Sequence, residues 1–225
     1  FKSEKIIDYA VQKDTRPLMS LSNTEFLKEL SRNSPAPGGG SVSALAGALG
    51  AGLSSMVAAL THEKKELMES KPEMNEIGLK AQSIKDRLAF LVDEDTYAFQ
   101  NVIEANRLPS NSEEEKRIKI KAIEEANKYA IEVPLETAEL CFHVLELSEI
   151  LIEKGNPNSV TDGSVASEIS FAGLKGAYMN VLINLLNIDD NVYKNKIQNK
   201  VDQLIEQGRK IHNKVYEKTL LVLQK

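Results

Sequence analysis

The chain has 225 residues, 42% of them hydrophobic and 27% charged, with a formal net charge of −5. That composition buries the core of one domain and excludes disorder as the main state. The acidic balance, the 5% aromatic content and the lack of Trp argue against nucleic acid as the main partner.

The chain opens on Phe1, as a trimmed protein or a piece of a longer one would, and residues 1–20 lack the continuous apolar run of a signal peptide. Ile6, Ile7 and Val11 suggest a short helix broken at Thr15, Arg16 and Pro17. Residues 1–20 are read as an N-terminal arm or linker, and 21–225 as one domain. A helix is predicted from Ser22 or Asn23, both good N-caps ahead of Phe26, Leu27 and Leu30. It stops before Ser34-Pro35-Ala36-Pro37-Gly38-Gly39-Gly40, which is predicted to be non-helical. A second helix runs from about residue 41 to 61. Residues 33–61 carry no charge and are long enough to span a bilayer. Gly, Ala and Ser dominate them, so they are read as a buried central helix and no membrane is expected.

A third helix is predicted over about 72–107, closed by Pro109. A fourth starts in the acidic turn Glu113-Glu114-Glu115 and runs toward Val133. Pro134 is predicted to kink or restart it, because the ring removes one hydrogen bond and clashes a turn back. A fifth piece ends at Gly155-Asn156-Pro157, and a sixth covers about 159–187. The last begins at Asp189 or Asp190 and carries Val192, Ile197, Val201, Leu204, Ile211 and Val215 on one side. No strand-like alternation or hairpin signal is present. Long helices joined by short loops predict an all-α, up-and-down antiparallel bundle.

Four features bear on chemistry. On the third helix Ala81, Ile84, Leu88, Leu91, Phe99 and Val102 form one apolar stripe, and Asp95 sits at its centre. An acid there is costly unless bonded, and its pKa tends to rise, which suits proton transfer. The plainer reading is a structural Asp that caps a neighbour or pairs with Lys. Second, the backbone amides after Gly38, Gly39, Gly40 and Ser41 open a helix and would face an anion, while the glycines permit a sharp turn or a close ligand. Third, Asn158 and Asp162 begin the sixth helix, where Asp162 also reads as a cap or dipole partner. Fourth, Gly173, Gly176, Ala177, Asn180 and Asn184 share a face that brings either a helix or a ligand close. The three histidines, His62, His143 and His212, lack metal-site spacing, so no metal is expected. Cys141 is the only cysteine, which excludes an intrachain disulfide; it reads as a small core residue and fits a reducing, cytoplasmic setting.

Four blocks then carry a resemblance. They are Ser34-Pro35-Ala36-Pro37-Gly38-Gly39-Gly40-Ser41-Val42; Leu91-Val92-Asp93-Glu94-Asp95-Thr96-Tyr97-Ala98-Phe99; Gly155-Asn156-Pro157-Asn158-Ser159-Val160-Thr161-Asp162; and Gly176-Ala177-Tyr178-Met179-Asn180-Val181-Leu182-Ile183-Asn184-Leu185. In this order they resemble the cyclodeaminase domain of the formiminotransferase-cyclodeaminase family. The resemblance implies an all-helical homodimer that converts 5-formimidoyltetrahydrofolate to 5,10-methenyltetrahydrofolate and ammonia, in histidine degradation and one-carbon metabolism. It implies no cofactor, since a folate, polyglutamylated or not, is the substrate, and it implies a formiminotransferase domain or protein as partner. The segment Ile6-Ile7-Asp8-Tyr9-Ala10-Val11 resembles the lead into that domain in bifunctional relatives. Asp95 and then Asp162 are taken as proton-transfer groups, with Gly38, Gly39, Gly40, Ser41, Asp93, Asn158, Asn180, Asn184 and Lys64 as substrate contacts. The same motifs occur in methenyltetrahydrofolate cyclohydrolases, and a non-catalytic folate-binding or purely structural bundle stays open as well.

Overall fold

Good caps start the helices where the sequence places them. In the computed structural model, which describes residues 17–224, α1 spans Asn23–Leu30 and opens on a capping box in which Ser22 and Glu25 bond each other's backbone amides. α4, Glu113–Lys154, opens on a second box between Ser112 and Glu115. α6, Asn191–Leu223, opens on Asp190, whose carboxylate accepts from Val192 N and Tyr193 N. Between these lie α2 (Gly39–Glu63), α3 (Lys71–Arg107, with Pro72 in its first turn) and α5 (Val160–Leu185). Short 3-10 turns form at Leu18–Ser20, Lys65–Ser70 and Pro157–Ser159. No strand occurs among the described residues.

Cross-helix contacts set the topology. Ser41 meets Asp95 while Ser55 meets Gln82, so α2 and α3 are antiparallel. Arg87 pairs with Glu136 and Lys154 with Glu73, so α3 and α4 are antiparallel too. Asn184 reaches Ala130 on α4, and Tyr178 on α5 bonds Asp202 on α6. α6 runs parallel to α4, pinned by Lys200–Glu139, Lys214–Glu149 and Lys218–Glu153. The all-α up-and-down bundle is therefore the fold.

α2 is long and apolar enough to cross a membrane, but here it is the central helix. Ala44, Ala48, Ala51 and Ala58 are buried, and Gly40, Gly47 and Gly50 meet neighbouring helices directly. A Cβ on Gly173 of α5 would stand 2.8 Å from Ser43 O and 3.0 Å from Cys141 Sγ. Because one of those atoms is backbone, Gly173→Ala is expected to destabilise the fold by about 1–3 kcal/mol, measured as a lower urea midpoint with unchanged slope. Cys141 fills the gap between these helices, and burial pushes its thiol up to about 12, so it is inert packing.

Two expectations are corrected. Gly39 and Gly40, predicted non-helical, form the first turn of α2, with Gly38 as N-cap. The restart allowed for at Pro134 is absent, and α4 is one 42-residue helix. The carbonyl that Pro134 cannot bond, that of Ala130, accepts instead from Asn184 Nδ2 at 2.6 Å, so the break loses its main cost. Of the expected arm, residues 1–16 lie outside the described residues. Leu18 packs on the core and its amide donates to Asp93.

Candidate active site

One cavity, of about 230 Å³, opens where the start of α2 meets α3, α4 and the end of α5. Pro35 and Ala36 of the preceding loop form one wall with Gly38, Gly39 and Gly40. α3 supplies Asp95, Ala98, Phe99 and Val102, and α4 supplies Asn127 and Ala130. Asn180, Asn184 and Asn187 complete the lining. Of the α3 stripe predicted to be buried, Leu88 and Leu91 are in the core, but Phe99 is 38% exposed at the cavity rim.

Asp95 is the one acid in this lining. Its Oδ2 accepts from Ser41 N at 2.9 Å and from Ser41 Oγ at 3.2 Å. The anion that faces the helix start is thus the protein's own carboxylate, favoured there by the unpaired amides and the helix dipole. A Cβ at Gly40 would overlap the Asp95 carboxylate. Gly40 therefore serves close approach rather than a special backbone angle, since no described residue has positive φ. Burial pushes the Asp95 pKa up and the two Ser41 bonds pull it down. Burial wins, and the pKa stays above the ordinary carboxylate range. Ser41→Ala removes one of the bonds holding it down, so the Asp95 pKa is expected to climb further. Titration of the Asp95 carboxyl carbon by NMR checks this directly.

The amides are held by backbone carbonyls. Asn180 Nδ2 donates to Gly176 O at 2.8 Å, and Asn127 Nδ2 donates to Asn187 O at 3.3 Å. Asn127 and Asn187 are additions to the predicted set. A signal for Asn127 exists, since it shares a helical face with Ala130 and the out-of-place Pro134.

The structure brings Gly38, Gly39, Gly40, Ser41, Asp95, Asn180 and Asn184 together. It does not bring the other four. Asp93 points the other way and holds the amide of Leu18. Asp162 lies in the first turn of α5, separated from Asn180 by about 27 Å of helix at 1.5 Å per residue. Asn158 and Lys64 are at that same far end, where Asn156 Oδ1 accepts from Lys64 Nζ at 3.2 Å and from Asn158 N at 3.1 Å. Among the described residues no group of three or more His, Cys, Asp or Glu is placed to hold a metal ion.

The fold and sequence have close counterparts. The sequence model of the formiminotransferase-cyclodeaminase family matches residues 22–203. The chain belongs to this family. A member from Methylorubrum extorquens, methenyltetrahydrofolate cyclohydrolase, is 35% identical over 192 residues, which are 85% of this chain and 92% of the relative. Mouse formimidoyltransferase-cyclodeaminase is also 35% identical, over 209 residues, but this chain spans only 38% of it. The crystal structure of formiminotetrahydrofolate cyclodeaminase from Thermotoga maritima superposes with a TM-score of 0.81 at 28% identity, covering 90% of this chain and 98% of that one. Folate-processing enzymes of the cyclodeaminase and cyclohydrolase type are thus the chain's relatives, and the cavity around Asp95 is where two of the family's blocks converge with a third.

Proposed function

We propose that the chain is a formimidoyltetrahydrofolate cyclodeaminase, acting in one-carbon metabolism and the breakdown of histidine. The observation that carries the reading is a raised-pKa carboxyl, Asp95, in a cavity that otherwise offers amides and apolar side chains. In the reaction N10 attacks the formimidoyl carbon on N5. The formimidoyl group enters protonated, as –CH=NH2+, so its nitrogen already carries two hydrogens. The N10 proton must leave, and the departing nitrogen must gain that one proton to go as ammonia and leave the methenyl cation. Those transfers occur at one carbon, so one relay group whose pKa burial has raised serves both. Asp95 takes the N10 proton and hands it to the leaving nitrogen, ending in its starting state. This reading gives both transfers to Asp95, since Asp162 lies far along the helix. Holding N10 against the carbon supplies much of the rate, because proximity is worth roughly 7–11 kcal/mol.

The proposal includes a homodimer, which would cover the exposed Val42, Leu49 and Met56 on α2. In such a dimer Lys64 remains a candidate for contact with the folate's glutamate tail.

A second reading is favoured by the near full-length match to the Methylorubrum cyclohydrolase. There the same carboxyl would take a proton from water adding to 5,10-methenyltetrahydrofolate. Purified protein given each substrate separately distinguishes the two. Rising methenyl absorbance with equal ammonia supports the cyclodeaminase. Decay of the methenyl signal alone supports the cyclohydrolase. Silence with both removes catalysis from the account.

A further inference from the structure

Three of the four cavity asparagines are not free to turn. Asn184, Asn180 and Asn127 each commit the nitrogen end to a backbone carbonyl, which fixes the orientation of each amide and leaves the oxygen end as the open one. Asp95 adds Oδ1, since both Ser41 bonds go to Oδ2. No Lys or Arg is among the described residues lining the cavity. Beside the backbone amides of the glycine turn, the lining's side chains present these oxygens as acceptors, which suit a ligand's N–H donors.

For Asn184 the carbonyl that fixes the amide exists only because of a residue outside the cavity. Ala130 O would ordinarily accept from the backbone N–H of residue 134, but residue 134 is a buried proline and has none. We propose that Pro134 is a positioning residue: it leaves the Ala130 carbonyl open to the Asn184 amide nitrogen, and so holds Asn184 Oδ1 toward the cavity as an acceptor for the substrate's formimidoyl N–H. This rests on the cyclodeaminase reading, because the formimidoyl nitrogen is the donor. It also bears on specificity. A methenyl carbon or a formyl oxygen offers no N–H, and a site built to bond an N–H discriminates against analogues without one.

Pro134→Ala restores a backbone N–H that competes for Ala130 O. The expected result is a folded protein with an unchanged or higher Tm and a KM for 5-formimidoyltetrahydrofolate raised about tenfold, as for loss of one substrate hydrogen bond. Affinity for 5-formyltetrahydrofolate, read by calorimetry, should not change. In an Asn184→Ala background the Pro134→Ala change should add nothing further to KM, which a merely structural proline would not produce. An unchanged KM in folded Pro134→Ala, or independent additive rises in the double variant, overturns the proposal while leaving the cyclodeaminase reading intact. Wild-type protein that binds 5-formyltetrahydrofolate but neither binds nor turns over the formimidoyl form overturns both. Should Pro134→Ala fail to fold, Asn184→Ala reads the same substrate contact with the sequence of α4 unchanged: a KM rise confined to the formimidoyl substrate is expected, and equal losses for both folates overturn the proposal.

Discussion

Asp95→Asn is expected to lose roughly 10²–10⁴-fold in kcat, the usual contribution of a positioned general acid–base group, while the fold becomes no less stable. The two effects share one cause. The folded-state pKa of Asp95 lies above its ordinary value because burial disfavours the carboxylate. The folded chain therefore holds this proton to higher pH than the unfolded chain does. The stability from this group is complete below the ordinary carboxylate range and is lost as pH rises through the raised pKa. An Asn at 95 has no charge to desolvate at any pH and still offers an oxygen to Ser41 N. Its melting temperature should accordingly fall less between acid and neutral pH than that of the wild type. Scanning calorimetry of both proteins from pH 4 to 8, beside steady-state turnover, measures the pair. Near-normal turnover in a folded Asp95→Asn protein would remove Asp95 from the chemistry.

Gly40→Ala is the second large effect, and it separates activity from folding in another way. The methyl group would occupy the position of the Asp95 carboxylate. That carboxylate is the end of a short side chain at the edge of an open cavity, so it can swing aside, and α2 gains a better helix former than glycine. Stability should change by less than about 1 kcal/mol. The displaced acid, however, loses the Ser41 bonds and its aim, and misplacement of about 1 Å costs about 10²-fold in rate. The expected protein melts normally and turns over at least that much more slowly. Calorimetry and initial rates report this, and a fully active Gly40→Ala enzyme would show that Asp95 works from another position.

Much of the fold is legible in the residues, because the signals are local. Ser22 with Glu25, Ser112 with Glu115, and Asp190 each announce a helix within one turn. The misread places are those where a distant group changes a local preference. Glycine propensity puts Gly39 and Gly40 outside a helix, but at Gly40 Asp95, far along the chain, fills the space a side chain would need. Proline propensity breaks α4, but Asn184 satisfies the carbonyl that makes the break necessary. No periodicity links residue 184 to residue 130.

The site divides on similar lines. Asp95 is legible because an acid seven residues from both Leu88 and Val102 must be explained. Asp162, Asn158 and Lys64 share only the family blocks with it, and blocks carry no end-to-end position. The antiparallel topology carries that position. In an up-and-down bundle the start of α2, the far half of α3 and the end of α5 lie at one end, while the end of α2 and the start of α5 lie at the other. The predicted topology thus already separates residues 38–41 from residues 158–162.

The seam between α2 and α5 orders events during folding. α2 is made largely of Gly, Ala and Ser, so it has few large side chains with which to anchor itself early. At the far end of the seam Thr61 bonds Asn156, 95 residues away in sequence. Contacts between such remote segments form slowly, because chain-closure entropy must be overcome before they stabilise anything. The neighbouring pairs α2–α3, α3–α4 and α4–α5 have no such delay. The α2–α5 seam is therefore expected to close after α2 has met α3, and the glycine wall reaches Asn180 only then. The cavity, which needs both α3 and α5 against the start of α2, is complete once that seam has closed.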